Sequence, residues 1–367
     1  MPSEVHFTGM RTTSRQNMLD RLEQLVVAAG LDSLPLAGRM VAIKIHFGEP
    51  GNLATIRPNY VARLVRMIRD RGGKPYLTDA NTLYKGLRAN AVDHMQAAME
   101  NGYNPLSAGC SAIIADGLWG FDYREVEINL RHFAAAKIAS AVAEAGDAIS
   151  MSHFKGHEQA GFGGALKNIG MGSGSREGKM AMHCDAPPRI AAAKCIGCGE
   201  CVRNCAHEAA QMGPEGKAFI DETRCVGCGQ CVVVCPAGAA QISWGSAGIL
   251  GERIAEYAFA ALKGKPHFHV NFVMDVSPNC DCWNHNDTPI VPDIGILASS
   301  DPVALDQASV DLVNGAPVLP GSALHEKGLM HGDKFQALHP DGDWERCLAH
   351  AQVIGLGSRA YRRIDHP

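Results

Sequence analysis

Two rhythms of apolar residues alternate over residues 36–155. "MVAIKIHF" is an almost unbroken apolar run with one lysine, which predicts a strand covered on both faces. "PNYVARLVRMIRDRGG" follows, with Val61, Leu64, Val65 and Ile68 at helical spacing and a glycine stop. The same reading predicts strands at "KPYLTDAN", "CSAIIADG" and "DAISMSHFKGH", and helices at "RANAVDHMQAAMENG" and "HFAAAKIASAVAEAG". Further on, "GILGERIAEYAFAALKGK" reads as a helix, and "HFHVNFVMDV" and "PDIGILASS" as strands. "DPVALDQASVDLVNG" reads as a helix capped by Asp301, with Pro302 at its first position. Strand then helix, repeated, predicts an α/β fold: a mostly parallel sheet with helices on both faces.

A different pattern interrupts this series. Cys195, Cys198, Cys201 and Cys205 are spaced C-x2-C-x2-C-x3-C, and Cys225, Cys228, Cys231 and Cys235 repeat that spacing, with Pro236 after the last. This is the bacterial ferredoxin run, in which three close thiolates hold one cluster and the fourth cysteine crosses to the other. The expected sets are Cys195, Cys198, Cys201 and Cys235 for one 4Fe-4S cluster, and Cys225, Cys228, Cys231 and Cys205 for a second. Gly197, Gly199, Gly227 and Gly229 allow the backbone to approach the sulfides. Zinc knuckles need only two pairs of ligands and leave the C-x3-C step unexplained. The first comb has Ala206 where the second has Pro236, a change of backbone restraint and not of ligand. Each comb is followed by what reads as a short helix and return strand. Residues 190–243 thus resemble the dicluster ferredoxins, a small α+β insertion between host segments 1–189 and 244–367. The flanks "APPRIAAAK" and "WGSAGILG" read as linkers. Acidic and basic residues nearly balance within the insertion, which suits clusters docked on their own protein better than a free acidic carrier.

Composition narrows the function classes. The 367 residues are 46% hydrophobic and 20% charged, with a net charge of −4, so nucleic acid is not an expected partner. No run approaches a membrane span, and the N-terminal stretch is polar, without the apolar core of a signal peptide. A cytoplasmic location is expected. Thirteen cysteines, an odd number concentrated in the combs, fit metal or redox chemistry better than disulfides.

In open parallel sheets, ligands sit beyond the carboxyl ends of the strands. The polar residues gather at the predicted strand ends, which implies one cleft shared by His46, Glu49, Asp79, Asn81, Asp116, His153, Lys155, His157, Asp275, Cys280, Cys282 and Asp301. "SHFKGHEQAGFGGALKNIG" offers a helix start flanked by Lys155, Lys167 and Asn168, which reads as an anion site or as a flexible Gly-rich connection. It is no P-loop: Ser173 stands where the first glycine is required and Met180 where Ser or Thr is required, and no GxGxxG follows a strand. His153, Lys155 and His157 are the candidate catalytic residues, and His46, Asp79, Asn81, Lys167 and Asn168 the candidate substrate-binding ones. "NCDCWNH" leaves three readings open for Cys280 and Cys282: an additional metal ion, two reduced loop thiols, or a thiolate that meets substrate.

The segments "KIHFGEPGN", "TDANTLYKGLR", "IIADGLWG", "SHFKGHEQAGFGGALKNIGMG", the double comb and "NCDCWNHNDTPIVPDIGILASSDPVALDQA" together resemble the iron–sulfur-centre proteins of the domain-of-unknown-function 362 family. The resemblance runs over most of the chain. It implies that the ferredoxin segment belongs inside this host domain, and it carries over no catalytic residue. The expected function is that of an oxidoreductase: two 4Fe-4S clusters relay single electrons from a soluble donor to a small anionic substrate in the cleft. Flavin is an open additional cofactor. The alternatives are an electron-transfer protein that docks to a redox partner, and a metal or cluster maturation factor.

Overall fold

The computed structural model describes residues 2–84, 86–183, 187–205, 207–225, 230–241 and 247–367. Eight strands form the main sheet: β1 (Ser3–Gly9), β2 (Met40–Lys44), β3 (Lys74–Asp79), β4 (Ala112–Ile114), β5 (Asp147–His153), β6 (His267–Val273), β7 (Gly295–Ser299) and β8 (Tyr361–His366). Their order is β8-β1-β7-β6-β5-β2-β3-β4. Only β7 runs against the others, pairing antiparallel with β1 and β6; the remaining pairs are parallel. The fold is therefore α/β with a mostly parallel sheet. Every residue of the central strand β5 is buried, as are Val41–Lys44 of β2, which accounts for the apolar run "MVAIKIHF".

Among the described residues, eight longer helices accompany the sheet: α1 (Met18–Ala28), α2 (Pro58–Asp70), α3 (Ala91–Glu100), α4 (Ala165–Ser173), α5 (Arg176–His183), α6 (Ala247–Leu262), α7 (Pro302–Gly315) and α8 (Trp344–Val353). One core sets Leu22 and Leu25 of α1 and Val61, Leu64 and Ile68 of α2 against Ile43, Ile149, Val270 and Ile296. The other sets Leu166 of α4, Ile254 of α6, Val303 of α7 and Leu348 of α8 against Ala148, Val273 and Leu297. Ile296 and Leu297 are neighbours that face opposite cores, the period of two that a strand imposes. Leu64→Ala would cost about 2–5 kcal/mol by leaving a hole in the first core.

Two expectations are corrected by the sheet. "HFAAAKIASAVAEAG" is not one helix: Ala135–Ala139 is a strand paired antiparallel with Tyr123–Glu127, and only Ser140–Ala143 is helical. Alanine favours helix, but burial of Ala136 and Ile138 on either side of Lys137 decides for the hairpin. Asp301 does cap α7, accepting from the N–H groups of Val303 and Ala304. It is not in the cleft, because β7 is reversed and its carboxyl end lies at the opposite edge of the sheet.

Between α5 and α6 in sequence, Arg189–Ile190 pairs with Ala240–Gln241 and Ala210–Met212 with Ala218–Ile220, both antiparallel. Arg189 and Ile190 are thus strand rather than linker. The short helices Glu200–Arg203 and Gln230–Val233 contain the combs' third cysteines, Cys201 and Cys231, and so lie within the combs and not after them. Cys195, Cys201, Ala210, Ala218, Cys235, Ala239 and Ala240 form a small core of their own. No helix among the described residues is long and apolar enough to cross a membrane.

Candidate functional site

The carboxyl ends of β2, β3, β5 and β6 share one edge of the sheet, and their loops interlock there. After β5 the chain forms a hairpin of Lys155–His157 and Gly161–Gly163. Against it lies the loop that carries Cys280 and Cys282. Gly156 makes this possible: its N–H donates to the Ser277 carbonyl at 2.9 Å, and a Cβ there would stand 1.9 Å from the Pro278 oxygen. From the other side the loop after β2 holds the same segment. The Glu49 N–H donates to the Asp281 carbonyl at 3.2 Å, and Asn52 Nδ2 donates to the Trp283 and His285 carbonyls at 3.3 and 3.0 Å. Gly51, at φ +99°, clears the Asn284 oxygen, which a Cβ would approach to 2.4 Å.

The thiol loop is fixed by charge as well. Asp281 is buried between Lys155 Nζ at 3.0 Å and His153 Nδ1 at 2.9 Å. Burial pushes the Asp281 carboxyl up, but His153 and Lys155 outweigh it and hold the group far below the usual range. His153 Nε2 lies 3.0 and 3.1 Å from the Met274 and Asp275 carbonyls, so both ring nitrogens are engaged. The two sulfurs of Cys280 and Cys282 are 3.0 Å apart, and Lys167 Nζ lies 3.9 Å from Cys280 Sγ. The hydrogen bond with Cys282 brings Cys280 down to about 6 against the cost of burial, with help from Lys167 and Lys155. The same hydrogen bond pushes Cys282 up. The two shifts run in opposite directions, so the pair gives up its first proton more readily from Cys280 than from Cys282.

Three aromatic or imidazole groups complete the cluster. The Gly48 N–H lies 3.1 Å from His46 Nδ1, and Nε2 lies 3.0 Å from the Arg88 Nη1 donor and 3.7 Å from Cys282 Sγ. Burial takes His46 down to about 4, so the ring is neutral. His157 Nδ1 accepts from the Gln159 and Ala160 N–H groups at 3.2 and 3.1 Å, which places its proton on Nε2. Burial, aided by Lys167, lowers His157 to about 3. His157 therefore serves as a neutral N–H donor; an imidazolium acid is not available near pH 7. Tyr84 lies beside Arg88 and Cys282.

Several expected substrate contacts prove to be scaffold, because neighbouring strand ends satisfy one another. Asp79 pairs with Lys44 at 2.9 Å and with Arg88 at 3.6 Å. Asn81 is spent on Asp116, Gly117 and His94, and Asn168 on Lys44, Met151 and Ser152. Glu49 pairs with Arg88 at 3.0 Å, and Asp275 stands partly exposed, 3.8 Å from Arg57. The start of α4 is not open to an anion either. The Ala165 and Leu166 N–H groups already donate to the Asp306 carboxylate at 2.7 and 2.9 Å. Asp306 is buried and raised to about 6, despite Asn271 and those two N–H groups. Of the anticipated residues, His46, Lys155, His157, Lys167, Cys280 and Cys282 converge. Arg88, Tyr84 and Asp281 join them unforeseen; the lone lysine of "MVAIKIHF", Lys44, was the visible sign of a buried ion network.

In the comb segment, Cys195, Cys198, Cys201 and Cys235 line one recess with Ile190, Ala218 and Ala239. Backbone N–H groups point at the sulfurs: Ala218 to Cys195 at 3.5 Å, Ala239 to Cys235 at 3.1 Å, and Ala209 and Ala210 to Cys205 at 3.3 and 3.5 Å. The N–H groups of Ala218 and Gly197 lower the Cys195 thiol. Gly197 and Gly199 take φ +69° and +73°, which the turns round the recess require. Cys228, with Gly227 and Gly229, lies outside the described residues. Among the described residues, no three His, Cys, Asp or Glu side chains converge on a site for a single metal ion.

Two solved structures are similar in outline. The lactate racemase apoprotein from Thermoanaerobacterium thermosaccharolyticum shares 14% identity at a TM-score of 0.45, covering 86% of this chain and 58% of that one. A protein from Thermotoga maritima shares 11% identity at a TM-score of 0.39, covering 82% and 59%. The chain thus spans a little under three fifths of each. No curated protein sequence matches it. Residues 41–311 match the family model described as "Domain of unknown function (DUF362)", and the chain belongs to that family.

Proposed function

We propose that this protein is an iron–sulfur oxidoreductase: two 4Fe-4S clusters on the comb segment serve a small anionic substrate bound beside Lys167, His157 and the Cys280–Cys282 pair. The observation that carries the reading is the thiol recess. Four cysteines from both combs meet there, with N–H donors on their sulfurs and left-handed glycines at the turns. This donor set fits a cubane, whose thiolates spread over four corners rather than closing on one ion. When bound, the clusters would supply electrons one at a time. The remaining work falls to the chain's own side chains.

Lys167 is the cation that faces Cys280, and it would hold the anionic group of the substrate. Lys155, fixed by Asp281, adds positive potential behind it. His157 would donate its Nε2–H to a substrate oxygen, as a neutral imidazole does when it polarises rather than protonates. The proton that moves would come from the Cys282 thiol, whose raised pKa keeps it protonated until charge develops.

The test is turnover with an artificial low-potential donor and a panel of small organic anions under exclusion of oxygen. Lys167→Gln should raise KM with little change in kcat, and His157→Gln should lower kcat. Iron content should stay at wild-type level in both. Full activity in both variants on an identified substrate would contradict the reading.

A further inference from the structure

We propose that Cys280 and Cys282 form a redox-active dithiol that exchanges with small anionic disulfides. The site is the one used in the proposed function, but the inference does not depend on the clusters. The sulfurs stand 3.0 Å apart, and a disulfide bond is about 2.05 Å long, so closure requires an approach of about 1 Å. The loop that carries them is held on both sides, through Gly156 and Ser277 on one and Glu49 and Asn52 on the other. The pair is therefore preorganised in register.

Access is unequal. Cys280 is buried and Cys282 is partly exposed. That division suits an attacking and a resolving thiol. Cys282 passes its proton to the Cys280 sulfur 3.0 Å away and attacks one sulfur of a disulfide RSSR; the S–S bond breaks, and the leaving RS⁻ takes that proton as RSH. Cys280 thiolate then attacks Cys282 in the mixed disulfide, forms the Cys280–Cys282 bond and releases the second RS⁻. The dithiol loses two electrons, and the small disulfide gains them as two thiols. Run in reverse, the pair is reduced by a dithiol or by two small thiols.

The surroundings select the occupant. Glu49, Asp79 and Asp281 match Arg88, Lys44 and Lys155, while Lys167 makes no ion pair with a carboxylate among the described residues and turns to Cys280. An uncompensated cation favours a thiolate and an anionic disulfide, and it opposes a divalent metal at the same sulfurs.

The experiment uses the full chain purified without oxygen and equilibrated with glutathione and glutathione disulfide at defined ratios. After acid quench, the peptide carrying both cysteines is mapped by mass. The expected result is a form lighter by two hydrogens that grows with the disulfide fraction and reverses on reduction. Cys280→Ser should trap a glutathione adduct on Cys282. Lys167→Gln should slow adduct formation by about tenfold. A peptide that stays reduced across the series would overturn the proposal, and so would stoichiometric zinc that shields both thiols until chelated. Iron assayed on the same sample separates the two readings. Full iron with an unreactive pair sinks the dithiol alone; an exchanging pair in protein that never holds iron sinks the cluster reading alone.

Discussion

The two cysteine-rich regions of this molecule achieve their ends in opposite ways. The comb segment supplies thiols by local spacing: turns, left-handed glycines and backbone N–H groups bring Cys195, Cys198 and Cys201 together, and Cys235 arrives from the repeat. Its core is small and lined with alanine. The Cys280–Cys282 loop has almost no local logic. It is positioned by two other loops, a buried Asp281–Lys155–His153 network and a glycine contact. The first region should tolerate changes in its neighbours and fail when a cysteine is lost. The second should fail when its tertiary supports are lost.

The strongest break in that contrast is Asp281→Ala. It strands Lys155 in the interior and should cost about 3–5 kcal/mol in denaturant unfolding. A loss below 1 kcal/mol would mean that the network does not hold the loop. Next comes pH. Asp306 is raised from 3.8 to about 6, so the native carboxyl keeps a proton that the unfolded chain has lost. Stability should fall as pH rises through that window, by up to about 3 kcal/mol. Asp306→Asn should flatten this dependence in thermal melts; an unchanged slope would assign it to another group.

Gly156→Ala should cost about 1–3 kcal/mol, because its Cβ would strike the Pro278 carbonyl. It should also loosen the thiol loop and leave the combs intact. An equal loss of iron in that variant would dissolve the distinction between the regions. The smallest effect is chemical. Alkylation of Cys280 should follow a midpoint of about 6, whereas Cys110, raised by burial to about 11, should not react near neutrality. A Cys280 midpoint near 9 would show that Cys282 does not share its proton.

The sheet was legible wherever apolar runs were long and buried. β2, β3, β5 and β6 follow from their sequences, as do α2, α6 and α7. β1 and β8 pair with each other across the whole chain, and nothing local announces that. The reversal of β7 was equally invisible, since an apolar strand reads the same in either direction, and it carried Asp301 out of the cleft. At the site, residue types pointed to the right edge of the sheet. They did not tell scaffold from surface. Asp79, Asn81, Asn168 and His153 are polar residues consumed by buried partners, and only contacts could reveal that. Asp306 filling the start of α4 is the sharpest case, because the anion there comes from a helix some 140 residues later in the sequence.

The central claim is that the combs hold two cubanes. Iron and acid-labile sulfide, measured on full-length protein purified without oxygen, test it most directly. The account predicts about eight of each per chain, falling by about half in Cys235→Ser. Two zinc ions per chain with no sulfide would contradict it.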